Sequence, residues 1–321
     1  MKEPLVRTRD LSVAYETRVG GVQAVDRVSL DIRSGEVLGL VGESGCGKST
    51  LGTALLRLVR TPGRITAGEI WFDGRDLLTL GDEEMRELRG ARISMIFQDP
   101  MTSLNPLQRV SEHVVETIRT HKPDVSEDEA RRQAAELIDR LGIMEERLDD
   151  YPHQLSGGMR QRVMIGLALA LRADLIIADE ATTSLDVIVE AQFLDLLKEL
   201  QRDFGLTILL ITHNIGVIAQ LSDRVAVMYA AKLVELADVT ALFEEPLHPY
   251  TQGLLASVPN IRLTGDSLEI MRGSPPDLIQ PPPGCRFHPR CHHAFGRCSE
   301  EEPPLMEVSP GRWAACWLHA V

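Results

Sequence analysis

The sequence predicts an α/β fold built on a parallel β-sheet that is buried on both faces. Three short segments, residues 174–179, 207–212 and 224–228, are almost continuously apolar. Strands covered by helices on both faces of a sheet have this composition, and helical patterns separate the three segments along the chain. A core of parallel strands and helices is therefore expected in the centre and second half of the chain.

The first part of the chain has a different pattern. Apolar and polar residues alternate in residues 5–8 and 28–32, and a further β segment covers residues 68–74. Alternation with a period of two is typical of strands with one buried face. We therefore expect an antiparallel β subdomain in addition to the α/β core.

A helical subdomain is expected at about residues 99–165, inserted in the α/β core. Ser126 and Glu129 have the spacing of a capping box, which marks a helix N-terminus. Gly142 suits the C-terminal end of this helix. The apolar stripe of the helix would consist of Ala130, Ala134, Leu137, Ile138 and Leu141.

A glycine-rich loop follows an apolar strand and leads into a helix. Its sequence, GESGCGKST, lies between the apolar residues 37–41 and the helix-like residues 51–56. This is the spacing of a P-loop, in which glycines let backbone amides face a phosphate at a helix N-terminus. The residues expected to bind the nucleotide are Gly42, Glu43, Ser44, Gly45, Cys46, Gly47, Lys48, Ser49 and Thr50.

Particular side chains of this loop have predicted roles in phosphoryl transfer. Lys48 would reach the β- and γ-phosphates, and the hydroxyl of Ser49 would ligate Mg²⁺. Asp179 ends the apolar segment 174–179 and would hold Mg²⁺ through water. Glu180 follows directly and would polarise the attacking water.

Composition limits the class of protein. The net charge of −13 does not suggest a nucleic-acid partner. The longest apolar stretch, residues 163–171, is enclosed by Arg162 and Arg172 and is too short to cross a bilayer. The first ten residues contain no apolar signal core. We therefore expect a globular cytoplasmic protein that docks on a membrane protein, with cysteines that are reduced thiols or metal ligands.

The composition of the chain changes from about residue 245 onward. Proline clusters appear, and Cys285, Cys291, Cys298 and Cys316 follow one another as C-x5-C-x6-C-x17-C. A small proline-rich lobe buries little core, so a metal held by four thiolates would supply folding energy. An iron–sulfur cluster, a zinc ion and a metal-free lobe are the alternatives.

Several short motifs resemble those of the ATP-binding cassette (ABC) ATPases. They are LSGGM at residues 155–159, FQDP at 97–100, SLD at 184–186 and TH at 212–213, with Tyr15 upstream. The order and spacing match that family over about residues 5–260. The resemblance implies that two chains share each ATP.

The resemblance also implies roles for individual residues. Ser156, Gly157 and Gly158 would close over the γ-phosphate held by the other subunit, although alone they also suit a plain helix cap. Three further roles are implied: Gln98 would touch Mg²⁺ or water, His213 would contact the γ-phosphate and orient Glu180, and Tyr15 would stack on adenine. Asp186 would belong to the nucleotide site as part of the D-loop.

Two positions depart from the pattern of the family. Ala181 stands where proline usually follows the catalytic glutamate, and Asn214 stands where aspartate commonly follows the histidine. Neither change removes a phosphate-contacting group, so hydrolysis is still expected.

Residues 97–106 and 245–251 are similar to the ATPases of dipeptide and oligopeptide importers, a group that includes nickel and oligosaccharide importers. This implies a nucleotide-binding domain at 1–245 and an extension at 246–321. It also implies a [4Fe–4S] cluster on the four tail cysteines, with zinc as the alternative. The implied partners are a second ATPase subunit, two membrane permeases and an extracytoplasmic binding protein, at the cytoplasmic face of the membrane. A non-transport ABC protein is the other alternative.

Overall fold

The structure is a computed structural model that describes residues 3–97, 104–182, 186–257 and 271–320. The chain forms two compact units, one of residues 1–78 and 210–321 and the other of residues 79–209.

Strands and helices follow one another in the chain as follows. The strands are β1 (Val6–Thr17), β2 (Gly20–Ile32), β3 (Val37–Val41), β4 (Gly63–Phe72), β5 (Arg75–Asp76), β6 (Ile93–Ile96), β7 (Leu175–Asp179), β8 (Thr207–Ile211), β9 (Arg224–Tyr229), β10 (Lys232–Asp238), β11 (Met306–Ser309) and β12 (Arg312–Ala314). The helices are α1 (Lys48–Leu55), α2 (Asp82–Leu88), α3 (Val110–His121), α4 (Glu127–Arg140), α5 (Gly157–Leu169), α6 (Val187–Phe204), α7 (Ile215–Leu221), α8 (Val239–Glu244), α9 (Pro249–Ala256) and α10 (Gly296–Glu300). Short 3₁₀ turns lie at Leu77–Thr79, Glu145–Asp149, Pro152–Gln154, His288–Arg290 and Trp317–His319.

The first unit contains the predicted antiparallel β subdomain. Its strand order is β2-β1-β4-β5, and all neighbouring strands are antiparallel. Strand β1 extends well beyond the predicted segment 5–8. Its register shifts between Thr8 and Leu11 and again near Val13, so its whole length does not show one continuous alternation. Asp10 adopts a left-handed φ of 44° at the first shift, which interrupts the alternation visible in the sequence.

The first unit also contains a mixed sheet with the order β11-β12-β10-β9-β3, followed by the end of β8. Strands β3 and β9 are parallel, as the apolar composition predicts. Strand β10 pairs with β9 in the antiparallel direction, and the distant β12 pairs antiparallel with β10 through Glu235 opposite Ala314. The chain's late residues therefore extend a sheet formed by much earlier ones.

The second unit combines parallel strands with packed helices. Strands β6 and β7 are parallel, from Ile93 opposite Leu175 to Ile96 opposite Ala178. A Cβ at Gly166 on α5 would lie 2.9 Å from Leu141 Cδ1, so this glycine allows the chain at the end of α4 to approach α5 closely.

Helix α4 corresponds to the segment predicted from its capping box. The hydroxyl of Ser126 accepts a hydrogen bond from the amide of Glu129 at 3.3 Å, as predicted. The reciprocal half of the box is replaced, since the Glu129 carboxylate pairs with Arg132 and Gln133. The predicted apolar stripe is buried at Ala130, Ala134, Ile138 and Leu141.

In the parts of the chain that the structure describes, no helix has the length and apolar character needed to span a bilayer.

Candidate nucleotide-binding site

The predicted P-loop links β3 to α1 in the first unit. Helix α1 begins at Lys48, and its N-cap residue Gly47 has a left-handed φ of 103°. The side chain of Lys48 is buried and donates hydrogen bonds to the carbonyl oxygens of Gly42 at 2.8 Å and Glu43 at 3.0 Å. The loop thus curls around its own lysine.

Two glycines of the loop are required by close main-chain neighbours. A Cβ at Gly42 would lie 2.1 Å from the carbonyl oxygen of Met228 on β9. A Cβ at Gly47 would lie 2.0 Å from the carbonyl oxygen of Ala24 on β2. Since carbon and oxygen atoms cannot approach so closely, any other residue would displace the loop. This is the cradle that a phosphate group requires.

The remaining loop residues divide into exposed and buried positions. Ser44, Gly45 and Ser49 are exposed. Cys46 is buried, and burial raises the pKa of its thiol. Its carbonyl oxygen accepts a hydrogen bond from the amide of Ala231 at 3.0 Å. The main chain of Cys46 therefore ties the loop to the turn between β9 and β10.

Glu43 links the loop to the tail of the chain. Its carboxylate accepts hydrogen bonds from both terminal nitrogens of Arg290, at 2.8 and 2.9 Å. Its amide donates to the hydroxyl of Tyr250 at 2.8 Å. Arg290 and Tyr250 were not predicted as site residues, because nothing in their local sequence indicates contact with a loop some two hundred residues earlier.

Tyr15 and His213 also belong to the first unit. Tyr15 lies on β1 opposite Val22 and Gly63, and a Cβ at Gly63 would come within 2.5 Å of its ring. This half-buried ring therefore packs over a glycine. His213 is exposed and directly follows β8 and Thr212. The predicted contacts of both residues with a nucleotide stay predictions.

Asn214 has a structural role that is compatible with its departure from the family pattern. Its side-chain oxygen accepts a hydrogen bond from the amide of Gly216 at 3.0 Å and caps α7. Asparagine and aspartate are equally good helix caps, so the substitution preserves the local backbone.

The second unit contains the predicted acidic pair. Asp179 is the last residue of β7 and is buried. Glu180 is half-buried and adopts a left-handed φ of 47°, a conformation that costs a residue with a side chain about 1–3 kcal/mol. Strain of this kind persists where the surrounding structure imposes it. The next residue, Ala181, is buried, and its carbonyl oxygen accepts a hydrogen bond from Gln161 of α5.

The LSGGM motif begins a helix in the second unit. The hydroxyl of Ser156 caps α5 by accepting from the amide of Met159 at 3.3 Å. Gly157 is exposed, with no atom within 4 Å of the position of a Cβ. At Gly158 a Cβ would lie 2.6 Å from Val189 of α6. The helix cap is therefore present. Binding of an anion by the amides at this helix N-terminus stays a prediction.

Asp186 is the N-cap of α6. Its carboxylate accepts hydrogen bonds from the amides of Ile188 at 3.1 Å and Val189 at 2.9 Å. Its predicted contact with a nucleotide is not tested by this geometry. Gln98, together with Ser184 and Leu185, lies outside the described residues.

The predicted iron–sulfur cluster in the tail is wrong, and nothing in the described parts of the chain supports the zinc alternative. In the described parts of the chain, which include Cys285, Cys291, Cys298 and Cys316, no group of three or more His, Cys, Asp or Glu residues is arranged to hold a metal ion.

Packing against the rest of the first unit explains why the argument for a metal fails. Phe287 is buried between Tyr229 and Tyr250, with ring centroids 5.2 and 5.5 Å away. Arg286 pairs with Asp26, which also pairs with Lys232 at 2.9 Å. These contacts and the β10–β12 pairing supply the burial that a separate small lobe would lack.

Comparison with known proteins agrees with the fold and the loop. Residues 25–183 match the family model described as ABC transporter, and residues 234–298 match the oligopeptide/dipeptide transporter C-terminal region. A dimeric ATP-binding cassette solved with ADP and phosphate, in a post-hydrolysis state, is 29% identical. It covers 73% of this chain and 98% of its own, with a TM-score of 0.66. The chain belongs to the ABC transporter family and is an ATPase of the cassette type.

Within that family, the chain is similar over almost its whole length to proteins named for peptide transport. It is 46% identical to the dipeptide transport ATP-binding protein DppD of Bacillus subtilis, covering 98% of this chain and 95% of the relative. It is also 46% identical to the oligopeptide transport ATP-binding protein OppD of Escherichia coli, covering 98% and 93%.

Proposed function

We propose that this chain is the ATP-hydrolysing subunit that energises an importer of dipeptides or oligopeptides. The main support is its similarity to DppD and OppD, which includes the C-terminal region typical of oligopeptide and dipeptide transporters. The cradle formed by Gly42 and Gly47 around a buried Lys48 fits the phosphates of ATP.

Nucleotide binding is assigned to the P-loop and to Tyr15. In the first unit, the amides of residues 42–50 and the ammonium of Lys48 bind the phosphates, and Tyr15 stacks on the adenine. Ser49, Asp179 and Gln98 are the residues that would hold Mg²⁺. When bound, this ion neutralises the charge that develops on the phosphates.

Hydrolysis is assigned to Glu180, which accepts a proton from the attacking water. The strained backbone at Glu180 supports this role, because such strain is concentrated at functional sites. His213 contacts the γ-phosphate and orients Glu180. Ser156, Gly157 and Gly158 present helix amides to ATP held by a second cassette, and Asp186 belongs to the nucleotide site as part of the D-loop.

The assembly follows from the class of protein. A second ATPase subunit, identical or related, completes each nucleotide site, and two membrane permeases carry the peptide delivered by an extracytoplasmic binding protein. The chain is then a peripheral protein at the cytoplasmic face of the membrane, and it binds no nucleic acid. Residues 1–245 form the nucleotide-binding domain, with the helical subdomain at about 99–165, and residues 246–321 form the extension.

Transport by the reconstituted complex tests this function. The chain, its partner ATPase, the permeases and the binding protein are placed in liposomes, and ATP-dependent uptake of labelled dipeptides and oligopeptides is measured beside nickel and an oligosaccharide. Peptide uptake that requires ATP supports the proposal. Uptake of nickel or the oligosaccharide alone, or failure of the chain to associate with any permease, contradicts it.

A further inference from the structure

Glu43 of the P-loop is held at three separate points of its main chain and side chain. Its carbonyl oxygen accepts from Lys48 at 3.0 Å, and its amide donates to the hydroxyl of Tyr250 at 2.8 Å. Its carboxylate forms a two-pronged ion pair with Arg290. Only the first of these contacts comes from the loop itself. The other two come from residues that follow β10, at the C-terminal end of the first unit.

Arg290 is itself rigidly placed. Its side chain is only 6% exposed, and its Nε donates to the carbonyl oxygen of Arg272 at 2.9 Å. The guanidinium also lies 5.7 Å from the ring centroid of Tyr229 and 5.9 Å from that of Phe287. A planar guanidinium that is already held in place loses little further entropy when it binds a carboxylate. The pair with Arg290 is therefore suited to holding the Glu43 side chain in one position.

Tyr250 reaches the loop from the same aromatic cluster. It is fully buried on α9, and its ring centroid lies 4.5 Å from that of Tyr229. Because the ring is enclosed, the hydroxyl that accepts from the Glu43 amide has a defined position. The amide of Glu43 is therefore held by a residue of the tail. We infer that this hydrogen bond fixes the direction of the main chain where the loop leaves β3.

Strand β2 also contacts the tail. The amide of Gln23 on β2 donates to the carbonyl oxygen of Leu278 at 3.4 Å, and a Cβ at Gly20 would lie 2.9 Å from Ile279. Gly20 and its neighbours pair with the end of β1 that carries Tyr15. The tail therefore contacts both the P-loop and the hairpin that bears the predicted adenine-stacking residue.

We propose that Arg290 and Tyr250 are positioning residues for nucleotide binding, through which the C-terminal tail sets the conformation of the P-loop. This inference rests on the proposed function, since it assigns ATP to the loop. Arg290 has a second effect, because it neutralises a carboxylate within a loop that must accept a highly anionic triphosphate. Without Arg290, Glu43 would both lose its fixed position and repel the ligand.

Coupling of this kind is reciprocal. If the tail strengthens nucleotide binding, bound nucleotide must stabilise the docked tail by the same factor. Amide hydrogen exchange in residues 285–291 and 249–256 should therefore slow when nucleotide binds to the parent protein, and this slowing should be lost when Arg290 is replaced.

The test compares variants of the full chain by the dissociation constant for Mg²⁺-ADP, measured by calorimetry. Arg290→Ala should weaken binding about fivefold to tenfold, within the usual range of coupling between sites. Adding Glu43→Gln to Arg290→Ala should restore part of the affinity by removing the unpaired charge. Arg290→Lys should fall between the parent and Arg290→Ala, because it keeps the charge but not the two-pronged geometry.

The matched control is Arg312→Ala. Arg312 is another partly buried arginine of the tail, and it pairs with Glu245 at 2.8 Å rather than with the loop. This variant should lose thermal stability but bind ADP as the parent does. Should Arg290→Ala fail to fold, Tyr250→Phe removes only the hydroxyl that accepts from the Glu43 amide and should weaken binding about threefold or more.

The outcomes separate the two proposals. Parental affinity in Arg290→Ala and Tyr250→Phe, or an equal loss of affinity in Arg312→Ala, overturns the positioning role. A parent protein that binds no nucleotide at all contradicts the proposed function instead. A loss of affinity confined to the Glu43 contacts, with the partial rescue by Glu43→Gln, supports the coupling.

Discussion

The ammonium of Lys48 donates a hydrogen bond of 2.8 Å to the carbonyl oxygen of Gly42, six residues earlier in the same loop. The lysine is 4% exposed and makes a second such bond to Glu43. A buried ammonium needs partners, and the loop supplies them from its own main chain. The main chain of the loop therefore folds around the positive charge of this lysine.

Lys48→Ala should remove most of the affinity for nucleotide. Hydrogen bonds to charged groups contribute about 1.5–3 kcal/mol each, so the dissociation constant for Mg²⁺-ATP should rise about tenfold to hundredfold. Calorimetric titration measures this change. Lys198→Ala, which removes an exposed lysine of α6, is the control and should leave the dissociation constant unchanged. Parental affinity in Lys48→Ala would contradict the assigned role.

Glu180→Gln should separate binding from hydrolysis. The glutamine keeps the size of the side chain but accepts no proton, so turnover should fall about 10²- to 10⁴-fold while ATP still binds. Phosphate release by the reconstituted complex gives the turnover, and size-exclusion chromatography with ATP shows a trapped closed dimer. Glu199→Gln, at an exposed position of α6, is the matched change. Turnover close to that of the parent would exclude Glu180 as the main base.

The buried ion pair between Arg224 and Glu36 should be important for stability. Their side chains are 8% and 7% exposed, and the two partners lie 3.1 Å apart. Arg224→Ala would leave a buried carboxylate unpaired, which typically costs about 3–5 kcal/mol in the free energy of unfolding.

Urea denaturation measures that cost, with Arg7→Ala as the comparison. Arg7 pairs with Asp31 at 3.0 Å, but both side chains are substantially exposed, so its replacement should cost less than about 1 kcal/mol. Equal effects of the two substitutions would show that burial does not determine the strength of these pairs.

His248 should make the protein less stable in mild acid. Burial, with a smaller contribution from His319, lowers the pKa of His248 to about 3. An unfolded chain has a histidine pKa of about 6.5, so between these values the unfolded state binds one more proton. Stability is therefore complete above about pH 6.5 and decreases as the pH falls toward 3, by at most about 1.4 kcal/mol per pH unit from this residue.

The variant His248→Asn tests the pH effect without removing the helix cap. The Nδ1 atom of His248 accepts from the amide of Tyr250 at 3.0 Å, and an asparagine oxygen is suited to the same role. The free energy of unfolding should depend less steeply on pH in this variant than in the parent. His292→Gln, at an exposed position, should keep the parental slope; a parental slope in His248→Asn would refute the assignment.

Phe287→Ala should loosen the tail. Phe287 is 3% exposed within the aromatic cluster, and loss of such a buried ring typically costs about 3–5 kcal/mol. Hydrogen exchange measured by mass spectrometry should show faster opening of residues 285–316. Phe295→Ala removes a ring that is 47% exposed in the same tail and should change exchange little. Similar exchange in both variants would contradict the packing account.

The parts of the fold that depend on local pattern were predictable. Composition predicts the buried strands β7, β8 and β9, and spacing predicts the cap of α4 at Ser126. The P-loop was recognisable because its chemistry requires glycines at fixed intervals. Strand β1 was underestimated, since bulges such as the one at Asp10 break the alternation on which the prediction depends.

Contacts between distant segments were not predictable. Pairing of Arg290 with Glu43, and of β12 with β10, depends on how the chain returns to its first unit, and no local pattern encodes that path. The error at the four cysteines has the same origin. Their spacing indicated a lobe without its own core, whereas Phe287 and Arg286 bury that segment against the sheet.

The pairing of β12 with β10 has a consequence for synthesis on the ribosome. Strand β10 ends at Asp238 and its partner begins at Arg312, so β10 is made long before its neighbour emerges. During that interval its outer row of amides and carbonyls is open to pairing with any other extended chain. Shortened chains that stop before residue 312 would keep this bare edge permanently and are expected to aggregate.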